Sequence, residues 1–298
     1  MRRRDFLGAA GLALGATAYS SGSSIAAAAT PGSSAVEAGD WVALRNLFPL
    51  TRDYIQLSTF LLASHPKPVS DEIERHRRGL DENPSDYWHE HFETIDGEVA
   101  AAAARYMGGE GSQIALTDST TMGLGLVYSG LKLQPGDEIL QTTHDHYSTD
   151  LSLAQRAERT SAQIRRISLY ENPATISKDL IVSNLREGIS DNTRVVAVTW
   201  VHSSTGVKLP LRAMADAIGE INRKRNEQDR ILFCVDGVHG FGIEDQDVSN
   251  LGCDFFIAGT HKWIFGPRGT GVVWGSDRAW QQSVAVIPSF SGSYAVWL

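Results

Sequence analysis

The chain has 298 residues, of which 42% are hydrophobic and 21% charged, and this composition is typical of a globular protein with enough apolar material for a core. A formal net charge of −8 argues against a nucleic-acid partner, which would favour a basic face. Two cysteines are too few for a disulfide scaffold. Both Cys234 and Cys253 lie in apolar, strand-like runs, which predicts buried thiols.

A targeting segment is predicted at the N-terminus. Residues 2–7 read Arg-Arg-Arg-Asp-Phe-Leu, a basic run of twin-arginine form, and a short apolar stretch follows at 8–18. Residues 24–29 offer an Ala-x-Ala cleavage site. A transmembrane span is the alternative, but the apolar stretch is short and interrupted by Gly and Ser. We therefore predict a twin-arginine signal peptide at 1–29 and a periplasmic or secreted mature chain without membrane contact.

Residues 30–69 are predicted to form a linker and an N-terminal segment. Within it, the pattern indicates an amphipathic helix at 41–50 and a strand with a turn at 53–60. A helix is predicted from Ser70 to Leu80, with Ser70 or Asp71 as its N-cap. Residues 81–92 are rich in aromatic side chains and histidine, and we predict an irregular loop there.

From residue 95 onward, helical and strand-like patterns alternate. An Ala-rich helix is predicted at 95–107, ended by two glycines. Short β-branched runs bounded by Gly, Pro or Asp predict strands at 112–117, 139–142, 162–169, 194–200, 231–235, 253–259 and 272–274. This alternation is the signature of a largely parallel sheet with helices on both sides. No Gly-x-Gly-x-x-Gly follows a strand, so a dinucleotide site is unsupported.

Polar residues follow two of the apolar runs directly, and a glycine-spaced loop comes next. The carboxyl edge of a parallel sheet is where α/β enzymes place their chemistry. The residues at these positions are Asp236-Gly-Val-His239, Thr260-His261-Lys262 and the loop at 266–271.

This arrangement resembles the class V aminotransferase family of pyridoxal phosphate (PLP) enzymes. The resemblance covers about residues 50–285 and implies a three-layer α/β/α PLP-dependent transferase large domain with a mostly parallel seven-stranded sheet. It implies PLP as cofactor, with Lys262 forming a Schiff base to the cofactor aldehyde and then acting as the general base at the substrate Cα. Asp236 would pair with the pyridinium nitrogen, so that the ring can accept electrons.

The resemblance assigns the other site residues as well. His146, which follows Asp145, would stack on the pyridine ring, and His239 would hydrogen-bond the phenolic oxygen. Ser203 stands near that oxygen where the family has Asn, and its hydroxyl lacks the second donor of an amide. A helix N-terminus with flanking hydroxyls suits the phosphate. The phosphate ligands implied in this way are Thr120, Thr121, Met122 (through its backbone N–H), Thr260 and His261.

The family forms homodimers in which the glycine-spaced loop approaches the phosphate of the other subunit, so Thr270 would contribute in trans. In family members the chain continues into a small C-terminal domain. That domain normally carries the Arg that binds the substrate carboxylate. We therefore assign residues 70–285 to the PLP-binding large domain and 286–298 to a truncated start of the small domain. We expect the chain alone to be poorly stable and weakly active.

Three functions stay open. The resemblance favours an amino-acid aminotransferase or epimerase of the isopenicillin N epimerase-like branch. A PLP-dependent C–S lyase or desulfurase-type enzyme is the alternative, although no cysteine lies on a loop. A truncated, non-catalytic remnant that binds PLP or a partner is the third. A zinc hydrolase is disfavoured, because His144-x-His146 is followed by Ser148 and Thr149 where further ligands would be needed.

Overall fold

The computed structural model describes residue 37 and residues 39–288. The predicted signal peptide at 1–29 lies outside the described residues, as do residues 289–298 of the predicted small-domain start. The described part contains a seven-stranded sheet flanked by helices, which confirms the predicted α/β architecture.

The sheet has the strand order β1-β7-β6-β5-β4-β2-β3. Neighbours from β6 to β3 pair in parallel, and β7 runs antiparallel to both β1 and β6. The strands are β1 (Ile114–Thr117), β2 (Glu138–Thr142), β3 (Gln163–Ile167), β4 (Thr193–Thr199), β5 (Leu232–Asp236), β6 (Phe255–Gly259) and β7 (Gly271–Gly275). The mostly parallel seven-stranded sheet is therefore confirmed.

The helices of the described residues are α1 (Trp41–Asn46), α2 (Lys67–Glu82), α3 (Pro84–His91), α4 (Ile95–Met107), α5 (Thr120–Gly130), α6 (Tyr147–Thr160), α7 (Lys178–Gly188), α8 (Leu211–Asn222), α9 (Val248–Leu251) and α10 (Asp277–Gln281). Those from α4 onward cover both faces of the sheet, whereas α1, α2 and α3 bury none of their residues. None of the helices within residues 39–288 is long and apolar enough to cross a membrane.

Two apolar layers form the core, one on each side of the sheet. Alternate residues of a strand point to opposite faces. In β4, Val196 and Val198 pack with the layer that includes α4, α7 and α8, whereas Val195 and Ala197 pack with the layer of α5 and α6. Because both faces are covered, the central strands β4, β5 and β6 are apolar over most of their length, as expected for a parallel sheet.

The part of the chain before residue 93 differs from the prediction at three places, and the first is 53–60. Residues 53–60 form no strand but bends and a turn, in which the carbonyl of Ser58 accepts hydrogen bonds from the backbone of Leu61 and Leu62. The alternating apolar residues Ile55 and Leu57 are 86% and 82% exposed, so no sheet face is present for them within the described protomer. The strand prediction there was wrong because periodicity alone does not supply a neighbouring strand.

The segment at 81–92 is mostly helical rather than irregular. Helix α3 begins at Pro84, and the side chain of Asn83 caps it by accepting from the backbone N–H of Asp86. Proline suits the first helical position because its missing N–H would be unpaired there anyway. Helix α2 begins at Lys67, three residues before the prediction, with Pro66 rather than Ser70 or Asp71 as its N-cap.

Candidate active site

A cleft of about 290 Å³ opens at the carboxyl edge of the sheet, where β2, β4, β5 and β6 end. The N-terminal segment contributes Phe60 and Leu61 to its wall. The remaining lining residues are Ser119, Thr120, Thr121, Leu124, His144, His146, Ser148, Thr199, Ser203, Asp236, Val238, His239, His261 and Lys262. Eight of the eleven residues predicted for the site therefore meet in one cleft.

Asp236 is the most buried charged residue of this cleft. It is the last residue of β5, is 2% exposed, and accepts a hydrogen bond from the backbone N–H of Val238 at 3.1 Å. Burial raises the pKa of its carboxyl to about 7, and the nearby Asp145 adds to the rise while Lys262 opposes it. A carboxyl in this condition favours a cationic partner, because a neighbouring positive charge restores its ionised form.

Lys262 lies in the loop that follows β6 and is partly buried. Burial lowers the pKa of its amine, and the negative charge of Asp236 partly offsets that effect. Backbone hydrogen bonds close this loop: the N–H of Gly266 donates to the carbonyl of Thr260 at 2.7 Å, and the N–H of Phe265 donates to the carbonyl of Lys262 at 3.1 Å. An amine with a lowered pKa is more often neutral, and a neutral amine is a nucleophile and a base.

His239 sits in the turn after β5. Its Nδ1 accepts a hydrogen bond from the indole Nε1 of Trp263 at 3.2 Å. Burial, with smaller effects of Lys262 and His146, lowers the pKa of His239 to about 4. The ring is therefore neutral at physiological pH.

The N-terminus of α5 forms another wall of the cleft. Ser119 caps the helix by accepting from the backbone N–H of Met122 at 3.1 Å. The hydroxyl of Thr120 accepts from the backbone N–H of Gly259 at 2.7 Å, which ties the helix to the end of β6. Thr121 is 3.2 Å, oxygen to oxygen, from Ser148. Hydroxyls at a helix N-terminus are suited to an anion.

His146 is the N-cap of α6, and its Nδ1 accepts from the backbone N–H of Ser148 at 3.3 Å. Burial and the charge of Lys262 lower its pKa. Just before it, Asp145 joins two strand ends: its carboxylate accepts from the backbone N–H of Thr142 and of Thr199, each at 2.7 Å. Burial raises the pKa of Asp145 to about 6.

Three predicted residues do not line the cleft. The side chain of Met122 is 44% exposed. The hydroxyls of Thr260 and Thr270 are hydrogen-bonded to each other, and Thr270 also donates to the carbonyl of Pro267 at 2.6 Å. These two threonines therefore hold the loop between β6 and β7 closed within the protomer.

Sequence reasoning gave no site role to Ser119, His144, Ser148 and Thr199. The ring of His144 stacks on Tyr170 with centroids 4.0 Å apart, and the hydroxyl of Tyr170 lies 2.7 Å from Nδ1 of the buried His202. The position of Thr199 as the last residue of a buried strand was the one signal that could have identified it.

The donor set of the cleft fits PLP. It supplies an amine for an aldehyde, a buried carboxyl for a ring cation, and hydroxyls at a helix N-terminus for a phosphate. The volume is near the lower end of the range of roughly 300–1,000 Å³ typical of small-molecule sites. No group of three or more His, Cys, Asp or Glu side chains suited to a metal ion occurs in the part of the chain that the structure describes.

Fold and site together define an α/β protein whose sheet edge brings a partly buried lysine and a buried aspartate into one cleft. A family model described as aminotransferase class-V matches residues 63–293. The chain belongs to the class V aminotransferase family.

Curated relatives in this family carry different activities. An isopenicillin N epimerase of Streptomyces clavuligerus is 27% identical over 232 residues, which are 78% of this chain and 56% of the relative. A cysteine desulfurase of Haloferax volcanii is 26% identical, over 76% of this chain and 51% of the relative. The chain thus spans about half the length of these relatives.

Solved structures show the same fold. A lysine-to-alanine mutant of C-DES, described with glycine covalently linked to the PLP cofactor, superposes with a TM-score of 0.71 at 22% identity, over 80% of this chain and 61% of that one. An apo cysteine desulfurase from Thermococcus onnurineus NA1 gives a TM-score of 0.67 at 22% identity, over 81% and 58% of the two chains.

Proposed function

We propose that this chain is the PLP-binding part of an enzyme that acts on an amino acid through Lys262, as an aminotransferase or epimerase. The observation that carries the proposal is the placement of Lys262 and Asp236 in one cleft beside the N-terminus of α5. The family is PLP-dependent, and relatives of this chain are an epimerase and desulfurases.

Different residues of the cleft would bind different parts of the cofactor. Thr120, Thr121 and His261, with backbone N–H groups at the start of α5, would hold the phosphate. His146 would pack against the ring face, and His239 and Ser203 would donate to the phenolic oxygen. We retain Met122, Thr260 and Thr270 as phosphate ligands by resemblance, the last of them acting across a dimer interface.

Asp236 would keep the ring nitrogen protonated. The pKa of its carboxyl is raised to about 7, and a cation bound beside it would lower that pKa and favour the ionised form. When bound, PLP supplies an electron-accepting ring that stabilises negative charge at the substrate Cα.

Lys262 would hold the cofactor through its aldehyde, and its amine would take the proton from the substrate Cα. Its lowered pKa favours the neutral amine that both roles need. Phe60 and Leu61 add apolar surface to the wall of the cleft. Epimerisation and amine transfer would both need this proton transfer by Lys262, and they would differ in the position to which the proton returns.

The experiment that tests this function is borohydride trapping. The purified chain is mixed with PLP, reduced and digested, and the peptides are analysed by mass spectrometry. We expect the reduced cofactor on Lys262 and, before reduction, an absorbance band that Lys262→Ala lacks. Lys132→Ala, outside the cleft, is the matched control and should keep the band. Absence of a cofactor adduct from the folded parent chain would contradict the proposal.

A PLP-dependent C–S lyase is the second candidate, because the fold superposes on C-DES, one structure of which is described as a cystine C–S lyase with its product cysteine persulfide. A cysteine nucleophile is not favoured within residues 39–288. Cys234 and Cys253 are buried, and burial raises the pKa of both thiols, which disfavours the reactive thiolate. Formation of pyruvate, ammonia and cysteine persulfide from cystine would identify the lyase. A racemised or transaminated amino acid would identify the first candidate.

We propose further that the chain works as a homodimer and is exported by the twin-arginine route. Exposed apolar side chains at 54–62 support the first proposal, and the sequence of residues 2–29 supports the second. Export is tested by Arg3→Lys with Arg4→Lys, which keeps the charge. The doubly substituted chain should remain in the cytoplasm, and unchanged export would contradict the route.

A further inference from the structure

Trp263 follows Lys262 directly in the chain, yet its indole turns to the neighbouring loop. Its Nε1 lies 3.2 Å from Nδ1 of His239, and the two rings meet edge to face with centroids 6.5 Å apart. An indole N–H can only donate a hydrogen bond. The acceptor in this pair must therefore be the imidazole nitrogen.

This contact decides where the proton of His239 sits. A neutral imidazole carries one N–H, and an Nδ1 that accepts from Trp263 is unprotonated. The proton is then on Nε2, the nitrogen without a hydrogen-bond partner among the described residues. Because His239 lines the cleft, Nε2–H is a donor available to a ligand there.

Backbone contacts fix both the loop of His239 and the loop of Trp263. The hydrogen bond between the two side chains therefore rests on a defined backbone position. The N–H groups of Gly240 and Phe241 donate to the carbonyl of Gly237 at 3.0 and 2.9 Å, which forms the turn that carries His239. Against this turn packs the loop of Trp263: a Cβ at Gly242 would lie 2.8 Å from the backbone nitrogen of Ile264. Gly242 also has a φ of +89°, a backbone conformation that favours glycine.

The charges around His239 act in the same direction. Lys262 and His146 both face it and disfavour a second proton on its ring. Protonation at Nδ1 would also break the bond from Trp263, because two N–H donors would then face each other. Local charge and the indole together keep the ring neutral.

We propose that Trp263 is a positioning residue that commits His239 to the Nε2–H form, a single donor aimed at an oxygen acceptor in the cleft. The inference deepens the proposed function, because it assigns that acceptor to the phenolic oxygen of the cofactor. It also explains how an imidazole, which can carry its proton on either nitrogen, presents a donor to that oxygen.

The test uses the full chain without cofactor and histidines labelled with ¹⁵N. Two-bond ¹H–¹⁵N spectra at pH 7.5 distinguish a protonated from an unprotonated ring nitrogen, and His239→Gln identifies the signals of His239. We expect unprotonated Nδ1 and protonated Nε2 in the parent chain. The opposite tautomer, or an even mixture of both, would overturn the proposal without any need for a variant.

Trp263→Phe keeps an aromatic ring and removes the donor. We expect the Nδ1 resonance to move toward that of a nitrogen without a hydrogen bond, the Nε2–H to Nδ1–H ratio to fall by about fivefold, and the titration midpoint of His239 to rise. Trp280→Phe is the matched control, because Trp280 is also partly buried and donates its indole N–H, to the carbonyl of Gln113 at 3.2 Å. It should leave the His239 signals in place.

An unchanged His239 spectrum in folded Trp263→Phe would overturn the inference. The readout is independent of the proposed function, because it needs no cofactor. If the tautomer is as expected but borohydride traps no cofactor on Lys262, the proposed function fails while the role of Trp263 toward His239 stands.

Discussion

At the scale of single residues, the site depends on buried groups whose protonation differs from that in water. Asp236 and Asp145 have raised pKa values, about 7 and about 6, whereas His239 and Lys262 have lowered ones. Burial is the largest cause in each case, because it disfavours the charged form of acids and bases alike. Perturbed groups that cluster in a cleft are typical of functional sites.

The raised pKa of Asp236 predicts a pH-dependent stability difference in the cofactor-free chain. Between pH 5 and pH 7 the folded state holds a proton on this carboxyl that the unfolded state has lost, so stability falls as pH rises. Asp236→Asn has no such carboxyl. We expect the free energy of unfolding of the parent chain to fall by about 2–3 kcal/mol relative to that of the variant between pH 5 and pH 8.

Urea unfolding of both proteins at the two pH values measures this difference. Histidines with lowered pKa values change stability with pH as well, but they are common to both chains and cancel in the comparison. If the two proteins differ in free energy of unfolding by the same amount at both pH values, the assignment of a raised pKa to Asp236 is contradicted.

At the scale of elements, glycines let the site turn pack against the core. A Cβ at Gly237 would lie 2.1 Å from the ring of Phe256, and one at Gly240 would lie 2.0 Å from the ring of Trp200. Both rings are buried, so neither can move aside freely. The turn that carries His239 therefore sits directly on the apolar layer beneath it.

Gly240→Ala should destabilise the protein by about 1–3 kcal/mol, because an overpacked core must shift to admit the methyl group. Gly219→Ala, in α8 with open space around its Cβ, is the control. It should be neutral or stabilising by up to about 1 kcal/mol, since alanine favours a helix interior. Chemical denaturation of both variants measures the difference, and equal losses would refute the packing argument.

At the scale of the whole molecule, large apolar side chains are exposed between residues 54 and 62. Tyr54, Ile55 and Leu57 are each more than 70% exposed, and the segment continues into Phe60 and Leu61, which line the cleft. A contiguous exposed apolar surface usually marks an interaction site. Covering it with a second copy would also close one side of the cleft.

We therefore expect a dimer in sedimentation velocity experiments. Ile55→Asp with Leu57→Asp should shift the population toward monomer, because two buried carboxylates would oppose association. Leu180→Asp changes an exposed apolar residue of α7 outside this segment and should leave the dimer intact. A parent chain that is monomeric at micromolar concentration would contradict the homodimer proposal.

The sequence by itself determined the local parts of this protein. Short apolar runs bounded by turn residues identified all seven strands, and the polar residues after them predicted Asp236, His239 and Lys262 as site residues, which the structure places in one cleft. This is possible because strand formation and the position of a strand end depend on neighbouring residues. The same reasoning failed at 53–60, where the alternating pattern had no partner strand.

Only the tertiary structure decided which strand ends meet and how their charges behave. Pairing of β4 with β5 places Thr199 opposite Asp236, and the carboxylate of Asp145 reaches the backbone of Thr199, 54 residues away. The bond from Trp263 to His239 likewise joins two loops. Such contacts depend on strand order and burial, which arise from packing of the whole sheet, and a local pattern of residues does not contain them.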